Sequence, residues 1–136
     1  MKKIFTLLAV LLLSVSLNAQ LLHEPFTYTP DVALGLSVQS NGVWQKVNSG
    51  DSILIEAGNL SYTGLPASTG NRINFGGSGT DYYTSFTNQT AGTIYYSFLL
   101  NVATVAPLST TGDYFTSYIE NGSTTNYFAR TWMKSD

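Results

Sequence analysis

The amino-acid sequence predicts an all-β protein, an antiparallel sandwich or barrel, behind a secretory signal peptide. Short segments of alternating apolar and polar residues recur about every 8–12 residues, and Gly, Asn and Ser separate them. No segment after residue 20 keeps the period of an amphipathic helix. Aromatic residues make up 13% of the chain, which supplies enough apolar surface to exclude a disordered protein.

The first 19 residues predict a signal peptide. Lys2 and Lys3 precede an apolar run from Ile4 to Leu13, and Ala19 closes a cleavage zone of small and polar residues. This order is typical of a secretory leader, and the run is shorter than the about 20 residues that a transmembrane helix needs. We therefore expect cleavage after Ala19, a secreted or cell-surface location and no membrane span.

Composition narrows the class of the mature protein. Removal of 19 of the 136 residues leaves 117, so residues 20–136 are predicted to form one domain. The leader takes two of the six basic residues, which leaves four against eight acidic ones. An acidic chain with no basic cluster is not expected to bind nucleic acid. Cysteine is absent, which excludes disulfides, thiolate metal sites and cysteine nucleophiles.

Seven segments alternate as strands do. The clearest is 93–102, where every second residue from Ile94 to Val102 is apolar and the other face is half apolar, as in a central strand covered on both sides. Asn121-Gly122 predicts a turn that joins the last two segments into a hairpin. In chain order, the predicted strands are Ser52–Glu56, Asn59–Tyr62, Arg72–Phe75, Tyr82–Phe86, Thr93–Val102, Tyr114–Ile119 and Tyr127–Met133.

Six segments, some of which overlap the predicted strands, carry a family resemblance: Leu21–Tyr28, Gly42–Trp44, Gly58–Leu65, Ser68–Asn71, Gly92–Val102 and Gly112–Phe115. In order and spacing they resemble the N-terminal concanavalin A-like (jelly-roll) domain of bacterial surface and secreted proteins that use type IX secretion. The resemblance implies a jelly-roll β-sandwich. It also implies a modular protein with a C-terminal sorting domain and, in many relatives, an adhesive or enzymatic module.

The length of the chain departs from that family. Its jelly-roll domain runs to about 200 residues, a size common for all-β sandwiches, so we expect this domain to be incomplete at its C-terminus. The first strand, around Phe26–Tyr28, is then expected to lack its partner. The alternative is a small, complete β-domain.

No catalytic constellation is predicted within the chain. His23 is the only histidine, and Glu24, Glu56 and Glu120 are isolated from one another in the sequence. A retaining glycosidase needs two carboxylates about 5 Å apart, and no strand carries such a pair. The non-catalytic interpretation is therefore favoured, with a downstream hydrolase module or a ligand-free structural spacer as the alternatives.

Glycan binding is the expected activity, because sugar sites combine an aromatic face with amide and carboxylate groups that bind hydroxyls. Trp132 and Tyr62 are further aromatic candidates, and core packing is the alternative for each ring. An extracellular glycan or a surface protein is the expected partner. The predicted ligand-binding residues are Trp44, Asn71, Asp81, Tyr82 and Tyr83.

No cofactor is predicted. Asp81 and Asp113 each follow a glycine-containing loop, and calcium takes carboxylate and carbonyl oxygens from such loops. Neither has a second acid nearby, so we expect turn aspartates, with a calcium site as the alternative.

Overall fold

The computed structural model describes an all-β chain. The described residues form six strands, which pair as three antiparallel two-stranded sheets, β1 with β4, β2 with β3 and β5 with β6. The strands are β1 (Gln45–Lys46), β2 (Leu54–Glu56), β3 (Arg72–Asn74), β4 (Tyr82–Tyr83), β5 (Asp113–Ile119) and β6 (Tyr127–Met133). The described residues are 20–36, 39–76, 79–106, 108–123 and 125–135.

This architecture confirms the predicted all-β class. The predicted signal peptide, residues 1–19, lies outside the described residues. Among the residues that are described, no helix has the length and apolar character to cross a bilayer.

The most deeply buried apolar residues lie around β2. Leu34 and Ile55 are 1% and 0% exposed. Leu34 N donates to Ile53 O at 2.8 Å and Ile55 N donates to Val32 O at 3.0 Å, so the chain before β1 lies along β2 on the edge opposite β3. Burial of Ile55 between the two neighbours explains why this short strand persists, because each buried aliphatic side chain contributes about 2 kcal/mol.

The β5–β6 hairpin confirms the prediction for the last two strands. Gly122 has φ +80°, the conformation that its turn requires, and Glu120 N donates to Asn126 O at 2.9 Å. Each strand contains one residue without a cross-strand partner, Phe115 in β5 and Phe128 in β6. These β-bulges change which residues share a face of the hairpin.

The prediction of a strand at 93–102 is wrong. In the described chain this segment belongs to no sheet, and its backbone makes no hydrogen bond. It packs through side chains instead: the ring centroids of Tyr96 and Tyr118 lie 5.2 Å apart, and those of Phe98 and Phe115 lie 5.7 Å apart. Alternation predicts which side chains share a side, whereas a strand also needs a hydrogen-bonded neighbour.

Two other predicted extended segments are irregular. Asn59–Tyr62 forms no ladder, because the side chains of Asn59 and Ser68 bind backbone carbonyls across this loop. Phe26 has φ +52°, outside the range of a strand. Predicted strands 52–56, 72–75 and 82–86 are present in shortened form.

Candidate functional site

The five predicted ligand-binding residues fall into two neighbouring groups. Trp44 belongs to an N-terminal cluster that we define as Glu24, Phe26, Tyr28 and Trp44, and Asn71 contacts its backbone. Asp81, Tyr82 and Tyr83 lie at β4. This strand pairs with β1, which begins directly after Trp44.

Glu24 organises the N-terminal cluster. Its carboxylate accepts hydrogen bonds from Tyr28 OH at 2.6 Å and from Trp44 Nε1 at 2.9 Å, and Phe26 stacks on Trp44 with ring centroids 5.8 Å apart. Burial raises the pKa of Tyr28 to about 12, and the hydrogen bond and charge of Glu24 add to this rise. The indole N–H and one face of Trp44 therefore serve contacts within the protein.

Asn71 also serves the protein itself. Its Nδ2 donates to Tyr28 O at 2.8 Å, its Oδ1 accepts from Gly58 N at 3.2 Å, and its backbone N donates to Pro25 O at 3.0 Å. Both ends of the side-chain amide are occupied. Asn71 thus attaches the segment around Pro25 to the start of β3.

The three residues at β4 have different surroundings. Tyr83 OH donates to Gln45 Oε1 at 2.6 Å, across the β1–β4 pair. The Tyr82 ring lies against Gly35, where an added Cβ would stand 2.7 Å from Cε1 of the ring. Asp81 accepts hydrogen bonds from Asn48 Nδ2 at 2.9 Å and from the β5–β6 hairpin.

One face of the hairpin, together with Asp81 from the segment before β4, forms what we call the hairpin cluster: Asp81, Tyr114, Tyr127, Arg130 and Trp132. Tyr114 OH donates to Asp81 Oδ2 at 2.8 Å. The Tyr114 ring contacts Trp132 and Tyr127, with centroid distances of 5.9 and 5.6 Å. Trp132 is nevertheless 54% exposed, so the cluster presents an indole surface to solvent.

Arg130 lies over the two tyrosine rings of this cluster. Its Cζ atom is 3.9 Å from the Tyr127 ring centroid and 5.0 Å from that of Tyr114, which is the geometry of a cation–π contact. Within the described chain the guanidinium makes no hydrogen bond and no ion pair. Its N–H donors are therefore free to bind a ligand.

Tyr114 is held in its neutral form. Burial raises its pKa well above the usual value, and the hydrogen bonds and charges of Tyr127 and Asp81 raise it further. A protonated Tyr114 keeps its donor hydrogen on the Asp81 carboxylate, which secures the contact between β4 and the hairpin.

A groove of about 330 Å³ lies between the end of β4 and the β5–β6 turn. Tyr83 and Phe86 contribute aromatic surface, while Asn88, Glu120 and Asn121 contribute polar groups. The volume is at the lower end of that found for small-molecule sites, about 300–1,000 Å³. Of the five predicted residues, Tyr83 alone lines this groove.

The carboxylates do not gather around a common point. Among the described residues, no group of three or more His, Cys, Asp or Glu side chains is placed to hold a metal ion. Asp81 is bonded to Asn48 and Tyr114, and Asp113 lies 3.5 Å from Ser109 Oγ.

The prediction from sequence missed Tyr114, Tyr127 and Arg130. Arg130 and Trp132 are two residues apart on a strand, so alternation alone places them on one face. Tyr127 is an odd number of positions from Arg130, and alternation places it on the other face. The bulge at Phe128 instead brings Tyr127 to the same face as Arg130. No signal in the sequence marks this bulge.

The chain matches no known protein-family description, and comparisons with curated proteins and with solved structures find no significant similarity.

Proposed function

We propose that this protein is a non-catalytic glycan-binding module of an exported surface or secreted protein, built on the jelly-roll sandwich that the family resemblance implies. The observation that supports it best is Trp132. This ring is 54% exposed, yet its edge contact with Tyr114 holds it in place. A fixed, exposed aromatic face beside hydrogen-bonding groups suits the C–H surface of a sugar ring.

The two tryptophans allow a sharp test of this function. The Trp44 indole N–H is bonded to Glu24, whereas in the described chain that of Trp132 has no hydrogen-bond partner. In two-dimensional NMR spectra of the ¹⁵N-labelled protein, titration with neutral and acidic oligosaccharides should move the Trp132 signal and leave that of Trp44 in place.

Trp132→Ala should abolish binding to the oligosaccharide that moves the signal. Tyr95→Ala is the matched control, because Tyr95 is an aromatic residue outside the hairpin that is 90% exposed. Tyr83→Ala tests the groove beside β4. If Tyr83→Ala loses oligosaccharide binding and Trp132→Ala keeps it, the site lies in that groove instead. If the protein binds no oligosaccharide, the proposed function is refuted.

A further inference from the structure

We infer that the hairpin cluster selects acidic sugars: Arg130 binds the carboxylate of a uronic acid-type residue whose ring stacks on Trp132. The inference rests on the proposed function and names its ligand class. It begins from the position of Arg130, which lies two residues from Trp132 on β6, and both side chains contact the Tyr114 ring.

The guanidinium is oriented but unpaired. Contacts with the Tyr127 and Tyr114 rings, at 3.9 and 5.0 Å from Cζ, restrict a side chain that would otherwise lose much entropy on binding. They place the guanidinium over the rings, and its N–H groups have no partner in the described chain. A planar edge with several donors matches a carboxylate in a two-bond arrangement.

The surroundings of Arg130 favour a sugar ring that carries one carboxylate over a ring that carries several sulfate groups. The whole chain has a net charge of −2, so long-range attraction for anions is absent and recognition must be local. Asp81, also in the cluster, accepts a hydrogen bond from the Tyr114 hydroxyl at 2.8 Å. The Asp81 carboxylate would repel a ring that carries several sulfate groups, while a ring with one carboxylate can bind at Arg130 alone.

The indole distinguishes a sugar from an acidic peptide. Trp132 provides a flat apolar face next to the cation, and a pyranose ring presents a flat C–H surface next to its carboxylate. An extended acidic peptide would use the charge but not this face. Both Arg130 and Trp132 are therefore expected to be necessary.

The test compares three probes by calorimetry: an oligogalacturonate, its carboxyl-reduced neutral counterpart and an oligoglutamate peptide of equal length. The oligogalacturonate should bind at least about tenfold more tightly than either of the others. Arg130→Gln should remove this preference, and Arg130→Lys should restore only part of it because a lysine lacks the planar fork. Lys46→Gln, which removes one charge from β1, should have no effect.

Each other outcome has a definite meaning. Equal binding of the acidic and reduced sugars, still dependent on Trp132, would overturn the inference and leave the proposed function standing. Oligoglutamate binding as tightly as the oligogalacturonate would overturn it in favour of a peptide partner. An unchanged preference in Arg130→Gln, in a protein with the circular dichroism spectrum of the original, would also overturn it. No binding of either sugar, with no response to neutral glycans, would refute the proposed function too.

Discussion

Replacement of Gly70 by alanine should destabilise this protein far more than alanine at an open turn. Gly70 has φ +85°, and a Cβ added to it would stand 1.9 Å from Pro25 O. An ordinary carbon–oxygen contact is about 3.3 Å, so the two backbones must separate by about 1.4 Å. The obstacle is backbone rather than a flexible side chain, and no rotamer change relieves it.

The expected magnitude is the sum of three effects. The left-handed backbone costs alanine about 1 kcal/mol. Separation of the backbones breaks the 3.0 Å hydrogen bond from Asn71 N to Pro25 O, which costs about another 1 kcal/mol. The displaced segment also loses packing in the N-terminal cluster, at about 1–2 kcal/mol. The free energy of unfolding should therefore fall by about 3–4 kcal/mol, a large part of a typical domain's 5–15 kcal/mol.

Gly64→Ala is the matched control. Gly64 has φ +92° but no atom within 4 Å of an added Cβ, so only the backbone cost of about 1 kcal/mol applies. Urea unfolding, followed by far-ultraviolet circular dichroism, measures both variants. If Gly70→Ala lowers the free energy of unfolding no more than Gly64→Ala does, the close approach of Gly70 to Pro25 is wrong.

Two further predictions concern pH. The pKa of Tyr28 is about 12, raised chiefly by burial and then by Glu24, so the folded state holds this proton more tightly than the unfolded state, whose tyrosines titrate near 10. Stability should fall between pH 10 and 12, by about 1 kcal/mol after solvent screening, and less in Tyr28→Phe. The pKa of Glu56 is lowered, first by the Asn74 hydrogen bond and also by Arg72. The contribution of the Glu56 carboxylate to stability should therefore be present above pH 4.5 and be lost as the pH falls. This pH dependence should vanish in Glu56→Gln.

Both pH predictions have internal controls. For the alkaline range the control is Tyr62→Phe, because Tyr62 is 69% exposed. This variant should keep the alkaline pH dependence of stability unchanged. For the acid range, the Glu56→Gln variant itself is the control. Urea midpoints measured across each range decide the matter, and an alkaline loss that persists unchanged in Tyr28→Phe would contradict the first prediction. An acid loss of equal size in Glu56→Gln would contradict the second.

The hairpin shows how much of the fold was predictable. Its strands follow from alternation over 114–119 and 127–133, and its turn follows from Asn121-Gly122, because all these signals are local. The segment 93–102 shows the limit. Its alternation is equally clear, but in the described chain no neighbouring backbone pairs with it, and pairing depends on residues far away in the sequence.

The candidate site divides in the same way. The sequence predicts Trp44 and Asn71 as ligand-binding residues because their side chains suit sugars. In the structure, the polar groups of these side chains form hydrogen bonds with Glu24, Gly58 and Tyr28. A residue type gives its hydrogen-bonding capacity. Whether a ligand or the protein's own chain uses that capacity is decided by tertiary contacts.

The all-β class, the acidic and cysteine-free composition and the β5–β6 hairpin can all be predicted from the sequence, because each depends on composition or on neighbours along the chain. Only the tertiary structure decided that Arg130 lies over Tyr114 and Tyr127 beside an exposed Trp132. The physical reason is the bulge at Phe128. One unpaired residue reverses the faces of a strand, and cross-strand register, rather than local pattern, determines where that residue lies.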